Sequence, residues 1–356
     1  MARASLQLAL ATAFLLLNCL RGSAAAASRR ARGRRLLQDT AVYELVEYVG
    51  TSGSTLTPAD IAKFPKPPSS VRLTWVIAFV GDATSTTTPS GKFACTGGSF
   101  CSGSNLDQTL VTALKGVSNA QVYAGLGGAN YPNWPTSSAS GYANTAAQSL
   151  IAYAKANNLD GYDLDFENGL NADWVTQWTQ IIPQLGKAGI PVTIDPFYAT
   201  KQIYGQLYAA LAKQPATGTF IGPQVSGVNY QAYADDSGNA ESEQSVLNDL
   251  TSGDSSVLSE FQVSQGQEII FGVAPNRPGP ESNPPVATSC AGIERIVDIV
   301  CPALRDCSKN KCTYTTYWAF GIMVFDFDTE LKLGQFTLVN AAYQALSGNC
   351  ASIKKC

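Results

Sequence analysis

The chain has 356 residues, 45% of them hydrophobic and only 14% charged, which gives apolar content for a large core and argues against a disordered polymer. Seven of the 24 basic residues and none of the 27 acidic ones lie in the first 35 positions, so the remainder holds 17 against 27, a net −10; such a body is a poor partner for nucleic acid, because phosphate binding needs basic surface. There is no histidine, which excludes Ser-His-Asp and Cys-His nucleophile pairs and the H-E-x-x-H zinc site, and leaves acid–base work to carboxylates, tyrosine or lysine.

In chain order, Arg3 gives a basic start, Leu6 to Leu17 forms an uncharged, mostly apolar run, and Ala24 to Ala27 offers small-residue cleavage sites. This pattern predicts a signal peptide over residues 1–27 and a secreted, extracellular protein. The competing membrane anchor suffers from the shortness of the run and from Asn18 and Arg21 just behind it. The basic stretch Arg29 to Arg35 reads as part of a pro-segment or flexible N-terminus over residues 28–40.

From there, short β-rich runs alternate with helix-like windows. The expected strands are 42–49, 71–80, 120–127, 159–167, 190–198, 225–233, 268–274 and 317–326. The expected helices are 106–117, 142–157, 172–187, 200–213 and 329–346. Eight β-then-α units predict an α/β chain folded as a (β/α)8 TIM-type barrel over residues 41–346, with residues 347–356 as a cysteine-bearing tail. No G-x-G-x-x-G follows the first strand and there is no P-loop, so the nucleotide-binding alternatives lack their marker. The long segments 81–105 and 275–316 both follow strand ends, where barrel enzymes build their sites.

Cys19 belongs to the signal, and eight cysteines remain. An even number in an exported chain suggests disulfides. Local spacing pairs Cys95 with Cys101. A zinc site from Cys301, Cys307 and Cys312 is the rival, without a C-x-x-C or a histidine to complete it.

The segment Leu159-Asp160-Gly161-Tyr162-Asp163-Leu164-Asp165-Phe166-Glu167 carries the chemistry. Side chains alternate across a strand, so Tyr162, Leu164 and Phe166 share one face and Asp163, Asp165 and Glu167 the other. Carboxylates turned into a barrel crowd like charges at low dielectric, which forces at least one to hold a proton. A protonated acid beside ionised partners is the apparatus of general acid catalysis. A calcium loop fails on spacing: counted from Asp163, position six is Asn168 and position twelve is Trp174.

Asp160-Gly161-Tyr162-Asp163-Leu164-Asp165-Phe166-Glu167 resembles the D-G-x-D-x-D-x-E signature of family 18 glycoside hydrolases, the chitinases and endo-β-N-acetylglucosaminidases. Weaker likenesses are Gly125-Leu126-Gly127-Gly128 to the family's S-x-G-G, Gln231-Ala232-Tyr233 to its Q-x-Y, and Gly321-Ile322-Met323-Val324-Phe325 to its G-V-M-x-W. Gly125 stands where the family has serine, and Phe325 where it has tryptophan.

The resemblance implies a hydrolase for β-1,4 linkages next to N-acetylglucosamine, in which the substrate's own acetamido group is the nucleophile. It implies Glu167 as acid and base, Asp165 on the acetamido nitrogen, Asp163 sharing a proton with Asp165, and Tyr233 donating to the acetamido oxygen. Asp160, Gly127, Gly128, Gln231, Trp134, Phe325 and Tyr48 are the expected substrate contacts, the aromatic ones as flat surfaces for sugar rings. Neither metal nor cofactor is required. The expected partner is an N-acetylglucosamine-containing polysaccharide, bound by a monomer free of the membrane once the signal is removed. A carbohydrate-binding lectin on the same barrel is the alternative function.

Overall fold

The protein is described by a computed structural model for residues 43–51, 55–82, 93–95, 100–118, 120–128, 141–197, 199–213, 225–231, 268–273, 319–334 and 336–346. The signal, the basic segment, the C-terminal tail and all cysteines except Cys95 and Cys101 lie outside these residues.

Eight parallel strands form a closed ring among the described residues. They are β1 (Tyr43–Val49), β2 (Val71–Asp82), β3 (Gln121–Gly127), β4 (Gly161–Asp165), β5 (Val192–Ile194), β6 (Gly227–Tyr230), β7 (Glu268–Val273) and β8 (Ala319–Val324). Each pairs with its neighbour in sequence, and β1 also pairs with β8, which closes the barrel. A short strand, Phe93–Cys95, adds antiparallel to the end of β2. Cys95 is bonded to Cys101, as expected, with 5.5 Å between their Cα atoms.

The helices are α1 (Pro58–Ile61), α2 (Gln108–Gly116), α3 (Tyr142–Ala156), α4 (Ala172–Lys187), α5 (Lys201–Ala212), α6 (Phe327–Leu333) and α7 (Thr337–Leu346). Their starts are written in the chain: Asp107 accepts from the Thr109 and Leu110 N–H groups, and Asn171 from that of Trp174, each taking up free donors of a first turn. The single closing helix expected over 329–346 is two helices. Gly334, at φ 74°, ends α6 in the left-handed region, and the chain turns before α7. Among the described residues, no helix is long and apolar enough to cross a membrane.

Register decides what faces inward. Glu44, Val46 and Tyr48 of β1 lie beside Arg72, Thr74 and Val76 of β2. Gly125 and Gly127 of β3 lie beside Asp163 and Asp165 of β4, and Asp163 beside Thr193 of β5. The outward residues pack under helices: Tyr162 donates to the Leu150 carbonyl of α3 at 2.8 Å, and the Phe166 ring meets Trp174 and Trp178 of α4. At the N-terminal end of the barrel, Arg72 and Thr74 both donate to Glu44, so charge there is paired.

Candidate active site

The other end of the barrel is different. Asp163, Asp165 and Asp195 are all buried on the inner wall at the C-terminal ends of β4 and β5. Among the described residues, no lysine or arginine forms an ion pair with any of the three. Buried charge without a counter-ion is unfavourable, so these acids must be held by hydrogen bonds or carry protons.

Tyr48 is the centre of the arrangement. Its hydroxyl lies 2.5 Å from Asp163 Oδ2 and 2.5 Å from Asp195 Oδ2. Asp163 also accepts from the Thr193 hydroxyl and, at 2.8 Å, from Asn229 Nδ2. Asp165 accepts from Gln231 Nε2 at 2.7 Å. Four strands and the residue after β6 thus converge on one cluster.

Burial pushes the Asp163 carboxyl above its ordinary range, while its donors Thr193, Tyr48 and Asn229 pull it back. Asp165 is pushed up further, by burial first and then by the charges of Asp195, Glu167 and Asp163, with Gln231 opposing. Burial and the Asp163 charge raise Asp195 in the same way. Burial and the same aspartates raise the Tyr48 phenol, which keeps its proton. Burial and like charge thus favour the protonated forms of these acids.

Glu167 follows this wall, two residues past the end of β4, and is half-buried. The backbone leading to it is braced by Tyr204 of α5. That hydroxyl donates to the Leu164 carbonyl at 2.8 Å and accepts from the Phe166 N–H at 2.7 Å. The Glu167 charge acts on both Asp165 and Asp195. Beside the cluster, the half-buried Phe325 and Phe79 rings flank Tyr48, with centroids at 5.4 and 6.3 Å.

Several expectations change in detail. Tyr48 is no platform for a sugar ring: it is 0% exposed, so neither face is free, and its hydroxyl is spent on the aspartates. Asp160 does not reach the substrate end. It precedes β4, at the opposite end of the strand from Asp165, where it accepts from the Val122 N–H and pairs with Lys115 at 2.9 Å. Gln231 is buried and holds Asp165.

The glycine pair serves packing. Gly127 has φ +116°, and a Cβ there would stand 2.3 Å from the Asp165 carbonyl oxygen; one on Gly128 would strike the Phe79 ring. The close approach lets the Gly128 N–H donate to that same carbonyl at 2.5 Å. Phe325 is half-buried, one residue past the end of β8 and beside Tyr48. Tyr233 and Trp134 lie outside the described residues.

Thr193, Asp195, Asn229 and Phe79 were not singled out from sequence. The available signal was alternation: Thr193 and Asp195, like Asn229 and Gln231, are polar residues two apart in strands whose other face is apolar. Among the described residues, no group of three or more Cys, Asp and Glu side chains is arranged to hold a metal ion.

No family model matches the sequence, and no curated protein matches it. Solved structures do. A family 18 chitinase from Crocus vernus is 23% identical, over 86% of this chain and 99% of its own, with a TM-score of 0.59. The catalytic domain of a family 18 chitinase from the fern Peteris ryukyuensis is 19% identical, over 88% and 100%, at 0.55. A group IV chitinase of Ostrinia furnacalis in complex with allosamidin is 14% identical, over 86% and 99%, at 0.54. The fold is that of the family 18 chitinases. At these identities the likeness speaks for the fold, and activity has to be argued from the site.

Proposed function

We propose that the chain is a secreted glycoside hydrolase that cleaves β-1,4 linkages next to N-acetylglucosamine in a chitin-type polymer, retaining configuration through substrate assistance. The observation that carries this is the buried aspartate wall, Asp163 and Asp165, leading directly to Glu167 at the C-terminal mouth of a barrel with the chitinase fold. Export is supported by the N-terminal apolar run and by the Cys95–Cys101 disulfide, which suits an oxidising compartment.

Glu167 protonates the glycosidic oxygen. The 2-acetamido carbonyl oxygen attacks the anomeric carbon as the glycosidic bond breaks, giving a cyclic oxazolinium intermediate. Asp165 binds the acetamido N–H, aligns the carbonyl and offsets the developing positive charge. Asp165 can hold a proton shared with Asp163 until the acetamido group arrives, because burial and neighbouring charge both favour its protonated form. Tyr233 donates to the acetamido oxygen. Water then opens the intermediate with Glu167 as base. Phe325 and Trp134 offer apolar faces to the sugar rings.

The test is product analysis on two matched oligomers, one of N-acetylglucosamine and one of glucosamine. Release of sugar from the acetylated oligomer alone supports the proposal. Equal hydrolysis of the oligomer without acetamido groups refutes substrate assistance. Binding of the acetylated oligomer without any hydrolysis replaces the enzyme with the lectin.

A further inference from the structure

Asp195 is an acid at the barrel mouth to which the mechanism above gives no task. Its carboxyl is 1% exposed, and Oδ1 has no hydrogen-bond partner among the described residues. Its Oδ2 lies 2.5 Å from the Tyr48 oxygen, and that oxygen lies 2.5 Å from Asp163 Oδ2. A phenol has one proton to donate. Given to Asp163, it leaves the Tyr48–Asp195 contact without a hydrogen, and two bare oxygens do not rest at hydrogen-bond distance. Three oxygens in a row therefore need two protons.

The surroundings decide where the second proton sits. Asp163 has two further donors, Thr193 and Asn229, and hydrogen bonds to a carboxylate favour its ionised form. Asp195 has one further donor, Gln231, its Oδ1 has no hydrogen-bond partner among the described residues, and it lies deep in the wall. Among the described residues, the groups that face it are Tyr48 from β1, Asp163, Asp165 and Glu167 from β4 and its extension, Gln231 after β6 and Tyr204 from α5. None of them is a cation. Burial and the Asp163 charge drive its carboxyl well above the ordinary range.

We propose that Asp195 is a positioning residue that donates its carboxyl proton to the Tyr48 oxygen, which commits the Tyr48 hydroxyl to Asp163. The chain runs Asp195 to Tyr48 to Asp163, each donating to the next. Its output is an Asp163 held as a carboxylate in a fixed rotamer. With Asp195 neutral, the Asp163 and Glu167 charges are the ones that raise Asp165, and Asp195 influences the acetamido-binding aspartate through Tyr48 and Asp163 without touching substrate. The catalytic consequence rests on the glycosidase reading; the proton assignment does not.

Two measurements separate these layers. The first is carbon-13 NMR of protein labelled at the aspartate carboxyl carbons, with the Asp195 signal assigned by its loss in Asp195→Asn. The expected signal at pH 7 is that of a neutral acid. A carboxylate signal at pH 7, titrating near the ordinary value of about 3.9, overturns the proposal whether or not the protein is an enzyme.

The second compares Asp195→Asn with Asp195→Ala on N-acetylglucosamine oligomers. An asparagine amide N–H replaces the acid proton toward Tyr48, so Asp195→Asn keeps most of the wild-type kcat. Asp195→Ala leaves the Tyr48 oxygen without its donor, and kcat falls on the order of ten- to a hundredfold with KM little changed. Equal damage from both substitutions, or a wild-type kcat in Asp195→Ala, contradicts the positioning role. A wild-type protein without hydrolytic activity removes the glycosidase reading, and the NMR result alone then decides the proton.

Discussion

Tyr48 and Asp163 are 115 residues apart in the chain, and the Tyr48 hydroxyl donates to the Asp163 carboxylate at 2.5 Å across the barrel interior. The contact joins the first strand to the strand that carries the acids. It also turns an aromatic residue from a surface for sugar into part of the electrostatic machinery.

Tyr48→Phe keeps the ring between Phe79 and Phe325 and deletes only the hydroxyl. Asp163 and Asp195 both lose their shared partner. The expected result is a fall in kcat of about ten- to a hundredfold, with KM nearly unchanged and the fold intact by circular dichroism. An unchanged kcat would remove the tyrosine from the account.

Gly127→Ala tests the close approach of β3 to β4. The added Cβ meets the Asp165 carbonyl, and φ +116° is strained for any L side chain. A loss of about 1–3 kcal/mol in stability is expected, measured by denaturant unfolding, together with reduced activity as the Asp165 backbone shifts. Wild-type stability would show that the strand pair relaxes without consequence.

Glu47 lies on the outward face of β1 beside Trp75, whose ring packs with those of Phe64 and Phe327. It is 0% exposed, and neither carboxyl oxygen has a hydrogen-bond partner among the described residues. Burial, then the charges of Glu330, Asp326 and Asp328, raise it well above its ordinary value of 4.5. A raised folded-state value means that the neutral acid is the form compatible with the fold. Its contribution is complete below 4.5 and is lost as pH rises through the raised value. Glu47→Gln stays neutral throughout. The melting temperature of wild type is expected to fall relative to Glu47→Gln as pH rises above 4.5. Parallel curves for the two proteins would show that Glu47 does not titrate with unfolding.

Most of the barrel was legible because the alternation of β-rich runs with capped helices is a local property of the chain. The inward face of β4 was legible for the same reason: a period of two puts Asp163 and Asp165 together without knowledge of any partner. The partners were not. Which strand end Tyr48 meets depends on barrel closure, which is set by register between β1, β8 and β2. Asp195, one acid in the apolar run 190–198, gains its meaning only when β5 lies against β4. Asp160 shows the converse. It stands inside the motif, but five residues of strand separate it from the end where Asp165 sits, and it pairs with Lys115 on the far side. The split of the closing helix turned on Gly334, a left-handed stop within an otherwise helical pattern.

In the proposed reaction Glu167 delivers the proton to the leaving glycosidic oxygen. Glutamine keeps its shape and hydrogen bonding but cannot release a proton. Hydrolysis of N-acetylglucosamine oligomers by Glu167→Gln, measured beside wild type at matched circular dichroism and with oligomer affinity determined for both, tests this directly. The expected rate is lower by about 10²–10⁴-fold or more, with oligomer binding largely preserved. A Glu167→Gln protein that hydrolyses the oligomers at the wild-type rate would contradict this role of Glu167.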